Sequence, residues 1–200
     1  MIIKPTTLKD VYVIEPHIYR DERGYFFETY NTKEFEEKIG KFHIVQENQS
    51  RSKHGVIRGL HYQKPPFTQA KIVTVVKGAV LDVVVDIRRD SPTFGQYYSI
   101  ILDGTNKLQL YIPRGFAHGF ITIDEDTIFQ YKVDNEYAPF YDAGIRFNDT
   151  YLKIDWKQKK NIIVSDKDKN LPEFSACHFY LTEEYNYNPI QIQNENEIIT

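Results

Sequence analysis

The sequence predicts an all-β fold, a barrel or sandwich of short strands, and three observations point there. Strand-like runs recur at short intervals from about residue 11 to 147, turn residues punctuate them, and the 200 residues include 15 Tyr and 13 Phe. Such spacing suits sandwiches and barrels rather than βαβ units, in which strands alternate with long helical patterns. Aromatic side chains favour half-buried pleated strands and also line stacking pockets. A chain of this length encloses one sizeable core, so a single domain over residues 1–182 is expected, followed by a polar tail over 183–200 rich in Asn, Glu, Tyr and Gln.

In order, the expected strands are Val11 to Glu15, Gly24 to Tyr30, Ile44 to Asn48, Val56 to His61, Ala70 to Lys77, Val80 to Ile87, Gln96 to Leu102, Leu108 to Ile112, Phe120 to Ile123, Ile128 to Val133 and Gly144 to Phe147. Lys77-Gly78, Ser91-Pro92, Asp103-Gly104, Pro113-Arg114-Gly115 and Ala138-Pro139 supply turns between them. Thr32 to Ile39 reads as one short helix outside the barrel, with Thr32 as N-cap and Gly40 as the stop. The alternation from Ala70 to Arg88 is clean. It puts Lys71 on the face of Val73 and Val75, which is read as the barrel lumen, and a lysine there needs a partner or a task.

The bulk numbers exclude several function classes. A net charge of −3 from 25 Lys/Arg and 28 Asp/Glu shows no excess suited to capturing nucleic acid or an anionic membrane. The single Cys177 has no partner for an intrachain disulfide, and no apolar stretch is long enough for a signal core or a bilayer span. The expected location is cytoplasmic.

The most informative segment is Arg58-Gly59-Leu60-His61-Tyr62-Gln63, followed by Lys71 and by Pro113-Arg114-Gly115-Phe116-Ala117-His118. It resembles the ligand pattern of the cupin barrels, Gly-x5-His-x-His, Glu and Gly, then Pro-x-Gly-x-x-His, which holds a divalent ion. Gly55, His61, Gly78 and His118 fit, but the second ligand position reads Gln63 and the acidic one reads Lys71. An ammonium has no lone pair to give a metal, so a fixed positive charge stands where the cation would be and no metal is expected. Gln46-Glu47-Asn48 on a neighbouring strand adds further polar side chains. Polar groups converging inside a barrel destabilise it unless a polar ligand or water pairs them, which points to a wet pocket.

Each motif also has a plainer reading. His61 alone is more often an ordinary hydrogen-bonded histidine, Ser165-Asp166-Lys167-Asp168 resembles a helix cap, and Asp21-Glu22-Arg23-Gly24 suits a charged turn. Tyr131 reads as barrel wall, and His118 as the remnant of a metal triad.

Together the segments resemble the dTDP-4-dehydrorhamnose 3,5-epimerase family, in unbroken order from about Ile2 to Pro172. The matching motifs are Asp21-x-Arg23-Gly24-x-Phe26-x-Glu28, Gln46-x-Asn48-x-Ser50, the Arg58 to Gln63 segment, Ser91-Pro92-Thr93-Phe94-Gly95, Ile112-Pro113-x-Gly115-Phe116-Ala117-His118-Gly119-Phe120, Tyr131-Lys132, Tyr137-Ala138-Pro139 and Ser165-x-Lys167-Asp168. The resemblance implies a cupin-type double-stranded β-helix, or jelly-roll barrel, with short peripheral helices. It also implies a homodimer without metal or cofactor, acting on a nucleotide-diphosphate 4-keto-6-deoxy sugar.

A C4 ketone acidifies the neighbouring C–H bonds at C3 and C5, so a base removes a proton to leave an enolate, and reprotonation from the other face inverts the centre. By resemblance, His61 is the base, Asp168 orients it, Tyr131 is the proton donor and Lys71 stabilises the C4 oxyanion. Arg23, Glu28, Gln46, Asn48, Arg58, His118 and Lys167 match positions that contact the nucleotide-sugar, and Tyr137 the aromatic that stacks on the base. Arg23 and Glu28 belong to an N-terminal strand that serves the partner subunit's site. Asp142 stands where the family usually has Glu, one methylene longer. Relatives also act on GDP-linked 4-keto-6-deoxyheptoses for bacterial surface polysaccharide, so base and sugar length stay open at this point. The competing readings are a sugar-nucleotide 3,4-ketoisomerase, a non-catalytic sugar-nucleotide-binding barrel and a metal-dependent dioxygenase.

Overall fold

A computed structural model of the chain describes residues 1–158 and 160–187. The expected residues 188–200 of the polar tail lie outside that range.

In chain order, the N-terminal part carries β1 (Ile2–Pro5), β2 (Tyr12–Glu15), a small hairpin of β3 (Tyr19–Asp21) and β4 (Gly24–Phe26), and α1 (Thr32–Lys38). The barrel strands follow: β5 (Gln46–Ser52), β6 (Val56–Gln63), β7 (Lys71–Lys77), β8 (Ala79–Asp86), β9 (Tyr97–Asp103), β10 (Gln109–Ile112), β11 (Phe116–Thr122) and β12 (Thr127–Val133). The last elements are β13 (Asp142–Gly144), β14 (Ile163–Val164), α2 (Asp166–Lys169) and α3 (Thr182–Asn186).

Two antiparallel sheets form the jelly roll. One runs β1-β2-β10-β7-β12-β5; the other runs β13-β6-β11-β8-β9, with β14 added in parallel to β6. Their inner faces meet in an apolar layer where Val73 and Val75 of β7 pack with Val80 and Val84 of β8, Leu110 of β10 and Phe129 of β12. The even positions of β8 point to this lumen, while its odd positions Leu81, Val83 and Val85 point outward to Ile145, Trp156, Phe174 and Tyr185. Burial on both faces explains why β8 is apolar at nearly every position rather than at alternate ones. A third apolar cluster, Ile14, Ile72 and Ala70 with Phe35 and Phe42, roots α1 on the outside of the first sheet.

The structure moves several expected boundaries. The helix cap is Asn31, whose side chain accepts from the Glu34 N–H, and not Thr32. Gly24 to Tyr30 is not one strand: Glu22 and Arg23 turn the chain from β3 into β4, and the Asp21 carboxylate accepts from the Arg23 backbone N–H at 2.9 Å. β11 begins at Phe116, four residues before the expected start, because its pairing with β8 extends to Phe116↔Asp86. The expected strand from Gly144 pairs instead over Asp142–Gly144, against β6. Ordered packing also continues past residue 182, since Tyr185 of α3 is fully buried in the outer core and its carbonyl accepts from Thr68 Oγ1. No helix among the described residues is long and apolar enough to cross a membrane.

Candidate active site

The barrel lumen opens to solvent through a cavity of about 590 Å3 lined from both sheets and from α2. That size lies within the range of small-molecule sites. Arg58 and His61 come from β6, His118 and Phe120 from β11, Lys71 from β7, Phe129 and Tyr131 from β12, and Ser165, Lys167 and Asp168 from the start of α2. Phe120 and Phe129, stacked with centroids 4.2 Å apart, make an apolar floor on which the His118 ring lies 6.0 Å from Phe129.

Arg58 and His61 are three apart, so a regular strand would send them to opposite faces. Between them the β6–β11 pairing slips by one residue, passing from His118↔His61 to Phe120↔Arg58. Gly59 makes the slip feasible. Its φ is +118°, and a Cβ there would stand 2.6 Å from Gly119 Cα and 2.7 Å from the His118 carbonyl oxygen. The irregularity brings both side chains into the cavity and sends Leu60 into the outer core.

His61 Nε2–H donates to Asp168 Oδ1 at 2.6 Å, and the other carboxylate oxygen accepts the Gly59 N–H at 3.1 Å. Asp168 is 3 % exposed. Burial pushes its carboxyl up, but the hydrogen bond and charge of His61, the Gly59 N–H and Lys167 outweigh burial and leave it below the usual carboxylate range. The cap reading and the site reading of Ser165 to Asp168 hold together: Ser165 Oγ accepts the Asp168 N–H at 3.1 Å while the Asp168 side chain reaches His61. With Nε2–H given to Asp168, Nδ1 carries the imidazole lone pair.

On the opposite sheet the Lys71 ammonium lies 5.8 Å from the centre of the Tyr131 ring. Burial lowers Lys71 to about 8, against the raising charges of Asp142 and Asp82. Burial raises the Tyr131 phenol, with Arg58 opposing, so the phenol holds its proton across the physiological range. A base held by a carboxylate thus faces a phenol and an ammonium across the space between two sheets, which in such sandwiches is about 10 Å.

At the mouth, Tyr137 Oη donates to Asp142 Oδ2 at 3.2 Å, and Lys167 forms an ion pair with the same carboxylate. Gln63, expected beside His61 at a ligand position, serves this loop: its Nε2 donates to the Phe67 and Glu136 carbonyls and its Oε1 accepts the Ala138 N–H. Gln46 and Asn48 sit on the edge strand β5 and bond each other at 2.7 Å, with Ser50 of that strand lining the cavity. Arg23 and Glu28 do not line it. Arg23 lies at the tip of the β3–β4 hairpin paired with Asp21, and Glu28 accepts from Asn31. The reading of single residues missed Asp82, a fully buried carboxylate that accepts from His118 Nε2 at 2.9 Å. The signal was a lone charge inside the apolar run Ala79 to Val85. Among the described residues, no three His, Cys, Asp or Glu side chains gather as a metal-binding set.

Fold and pocket define a class: a cupin-type jelly-roll barrel whose lumen gathers a hydrogen-bonded His–Asp pair, a tyrosine and a lysine. Residues 5–176 match the family model described as dTDP-4-dehydrorhamnose 3,5-epimerase. The chain is 47% identical over 173 residues to the dTDP-4-dehydrorhamnose 3,5-epimerase of Salmonella typhimurium, spanning 86% of this chain and 94% of that one. It is similar to the crystal structure of the Elizabethkingia anophelis enzyme of the same name, with TM-score 0.85 and 50% identity over 88% of this chain and 97% of that one. It is also similar to the dTDP-6-deoxy-D-glucose-3,5-epimerase of Legionella pneumophila in complex with dTDP-4-keto-L-rhamnose, with TM-score 0.87 and 42% identity over 90% and 97% of the two chains. The chain belongs to the dTDP-4-dehydrorhamnose 3,5-epimerase family and is a carbohydrate epimerase.

Proposed function

We propose that the protein inverts C3, C5 or both of a dTDP-linked 4-keto-6-deoxyhexose, supplying a deoxysugar for surface polysaccharide in the cytoplasm. The observation that carries this is the placement of His61, held by Asp168 of α2, on one sheet and of Tyr131 with Lys71 on the other. His61 takes the proton from the carbon beside the ketone and becomes an imidazolium stabilised by Asp168. The C–H electron pair passes into the ring as an enolate whose charge rests on the C4 oxygen, where the Lys71 ammonium meets it. Tyr131 then delivers a proton to the same carbon from the opposite face. The phenolate regains its proton from solvent and the imidazolium returns its own, so neither a redox change nor a net proton is left over.

Arg58, His118 and Lys167 face the sugar and diphosphate, for which the planar guanidinium fork is suited. Tyr137 stacks on the base while Asp142 holds Lys167. Gln46 and Asn48 reach the ligand from the edge of the first sheet. The dTDP-linked hexose is preferred over a GDP-linked heptose because the relatives' names and the bound dTDP-sugar of the Legionella pneumophila structure concern the former. The working unit is a homodimer in which Arg23 and Glu28 serve the neighbouring subunit. Supporting this, both lie outside their own cavity, and the hairpin beside them exposes Tyr19, Tyr25 and Phe26 by 59%, 53% and 66%.

Proton NMR of a dTDP-4-keto-6-deoxyhexose in deuterated water tests the reaction. Deuterium is expected at C3 or C5 with the ketone retained at C4, and neither exchange in His61→Ala nor inversion in Tyr131→Phe. A carbonyl that migrates to C3 would make the protein a ketoisomerase, and an unexchanged, tightly bound sugar would make it a binding barrel.

A further inference from the structure

Asp82 is a charge that the reaction above does not use. It sits at a lumen-facing position of β8 between Val80 and Val84, at 0 % exposure. One oxygen, Oδ2, accepts from His118 Nε2 at 2.9 Å; the other, Oδ1, is buried and has no hydrogen-bond partner among the described residues. A buried carboxylate half satisfied in an apolar layer costs several kcal/mol unless another charge compensates it. Lys71 lines the same lumen from the facing sheet. The Asp82 charge raises the proton affinity of Lys71, whose own strand lies across the lumen.

We propose that Asp82 is a positioning residue of the epimerase site, fixing the His118 ring through one oxygen and serving through its charge as the internal counter-ion that keeps Lys71 an ammonium. The inference rests on Lys71 as the oxyanion-stabilising group. Its physical logic is that an ammonium stabilises an enolate only while protonated, and burial works against that state. Asp142, the other carboxylate that favours the charged lysine, is already engaged by Lys167 and Tyr137 at the mouth and meets solvent and ligand there. Asp82 lies beneath the reacting centre, out of reach of both, so its effect persists when substrate fills the mouth.

Other charged and titratable groups share the cavity with Lys71. Tyr131 stands on the adjacent strand, His118 on β11, and Arg58 and His61 on β6; Lys167 and Asp168 close the site from α2. Among the surrounding groups, the carboxylates of Asp142 and Asp82 are the charges that raise the proton affinity of Lys71.

Asp82→Asn keeps the shape and removes the charge. Lys71 titration is read by 13C NMR of the dimethylated lysine in the intact protein, and turnover as a pH profile of kcat. In Asp82→Asn the Lys71 midpoint falls by about one pH unit and the alkaline limb of kcat moves with it, so turnover at pH 8 drops roughly five-fold while turnover at pH 6 stays within about three-fold. His118→Asn leaves Asp82 charged and is expected to hold or raise the Lys71 midpoint, the opposite sign. An unchanged Lys71 midpoint in Asp82→Asn, or equal falls in both variants, overturns the inference. If the midpoint falls but the alkaline limb stays in place, the counter-ion role stands and the role assigned to Lys71 in the reaction fails instead.

Discussion

Lys71 weighs on stability in one direction and on catalysis in the other. Its proton affinity in the folded protein, about 8, is below the ordinary lysine value of 10.5, because burial outweighs the carboxylates around it. Between those two pH values the unfolded chain binds the extra proton and the folded chain does not, so stability contributed at this residue rises with pH through that window. Below about 8 the ammonium costs the fold a constant amount, at most roughly 3 kcal/mol. Lys71→Met is therefore expected to raise denaturant stability at pH 7 by up to that amount, with the gain vanishing near pH 10.5, while turnover falls by two orders of magnitude or more. A variant no more stable than the parent at pH 7 would show that the lysine is well solvated and contradict its placement. At this scale much of the site was legible. Lys71 stood out because alternation put a charge on a lumen face, and His61, Tyr131 and Asp168 because spaced motifs resembled a family. Asp82 was equally visible as the one charge among Val80, Leu81, Val83 and Val84, but its meaning depends on His118, 36 positions further on and on another strand.

Two elements turn these residues into a site, and each uses a local device. β6 slips its register at Gly59 so that Arg58 and His61 share the lumen, which strict alternation from the sequence would deny. Such a bulge is set by the partner strand and is not encoded in periodicity, so the sequence reading could place both residues near the pocket only by their company. α2 is a single turn, too short to hold itself, and its Ser165 cap fixes the Asp168 backbone from below while the carboxylate points to His61 and Gly59. The sequence offered cap and site as rivals, and the geometry makes one the support of the other. Ser165→Ala removes only the acceptor of the Asp168 N–H. It is expected to cost about 1 kcal/mol of stability and to lower kcat by roughly three- to ten-fold with a smaller change in KM, because the main loss is the orientation of the base. Full kcat in a variant with lowered stability would reduce the cap to a structural role.

For the whole molecule, one subunit accounts for the barrel and its lumen but leaves Tyr19, Tyr25 and Phe26 of the β3–β4 hairpin largely exposed. The alternation rules gave the two-sheet architecture because both sheets bury an inner face, whereas a hairpin whose residues are exposed on both faces carries no such imprint, and Gly24 to Tyr30 accordingly read as an ordinary strand. In the proposed homodimer Arg23 and Glu28 complete the neighbour's cavity, so each site draws His61 from one chain and Arg23 from the other. This arrangement has a consequence that a monomeric site or a self-contained dimer lacks. Arg23→Ala and His61→Asn, each impaired alone when substrate is far below KM, regain activity when the chains are unfolded together and refolded. In each heterodimer one site carries both substitutions and the other carries none, so random pairing restores about a quarter of the parent kcat/KM. Mixtures no more active than the average of the two variants would place Arg23 in its own subunit's site or outside the reaction altogether, and sedimentation of the parent as a monomer at assay concentration would remove the shared site directly.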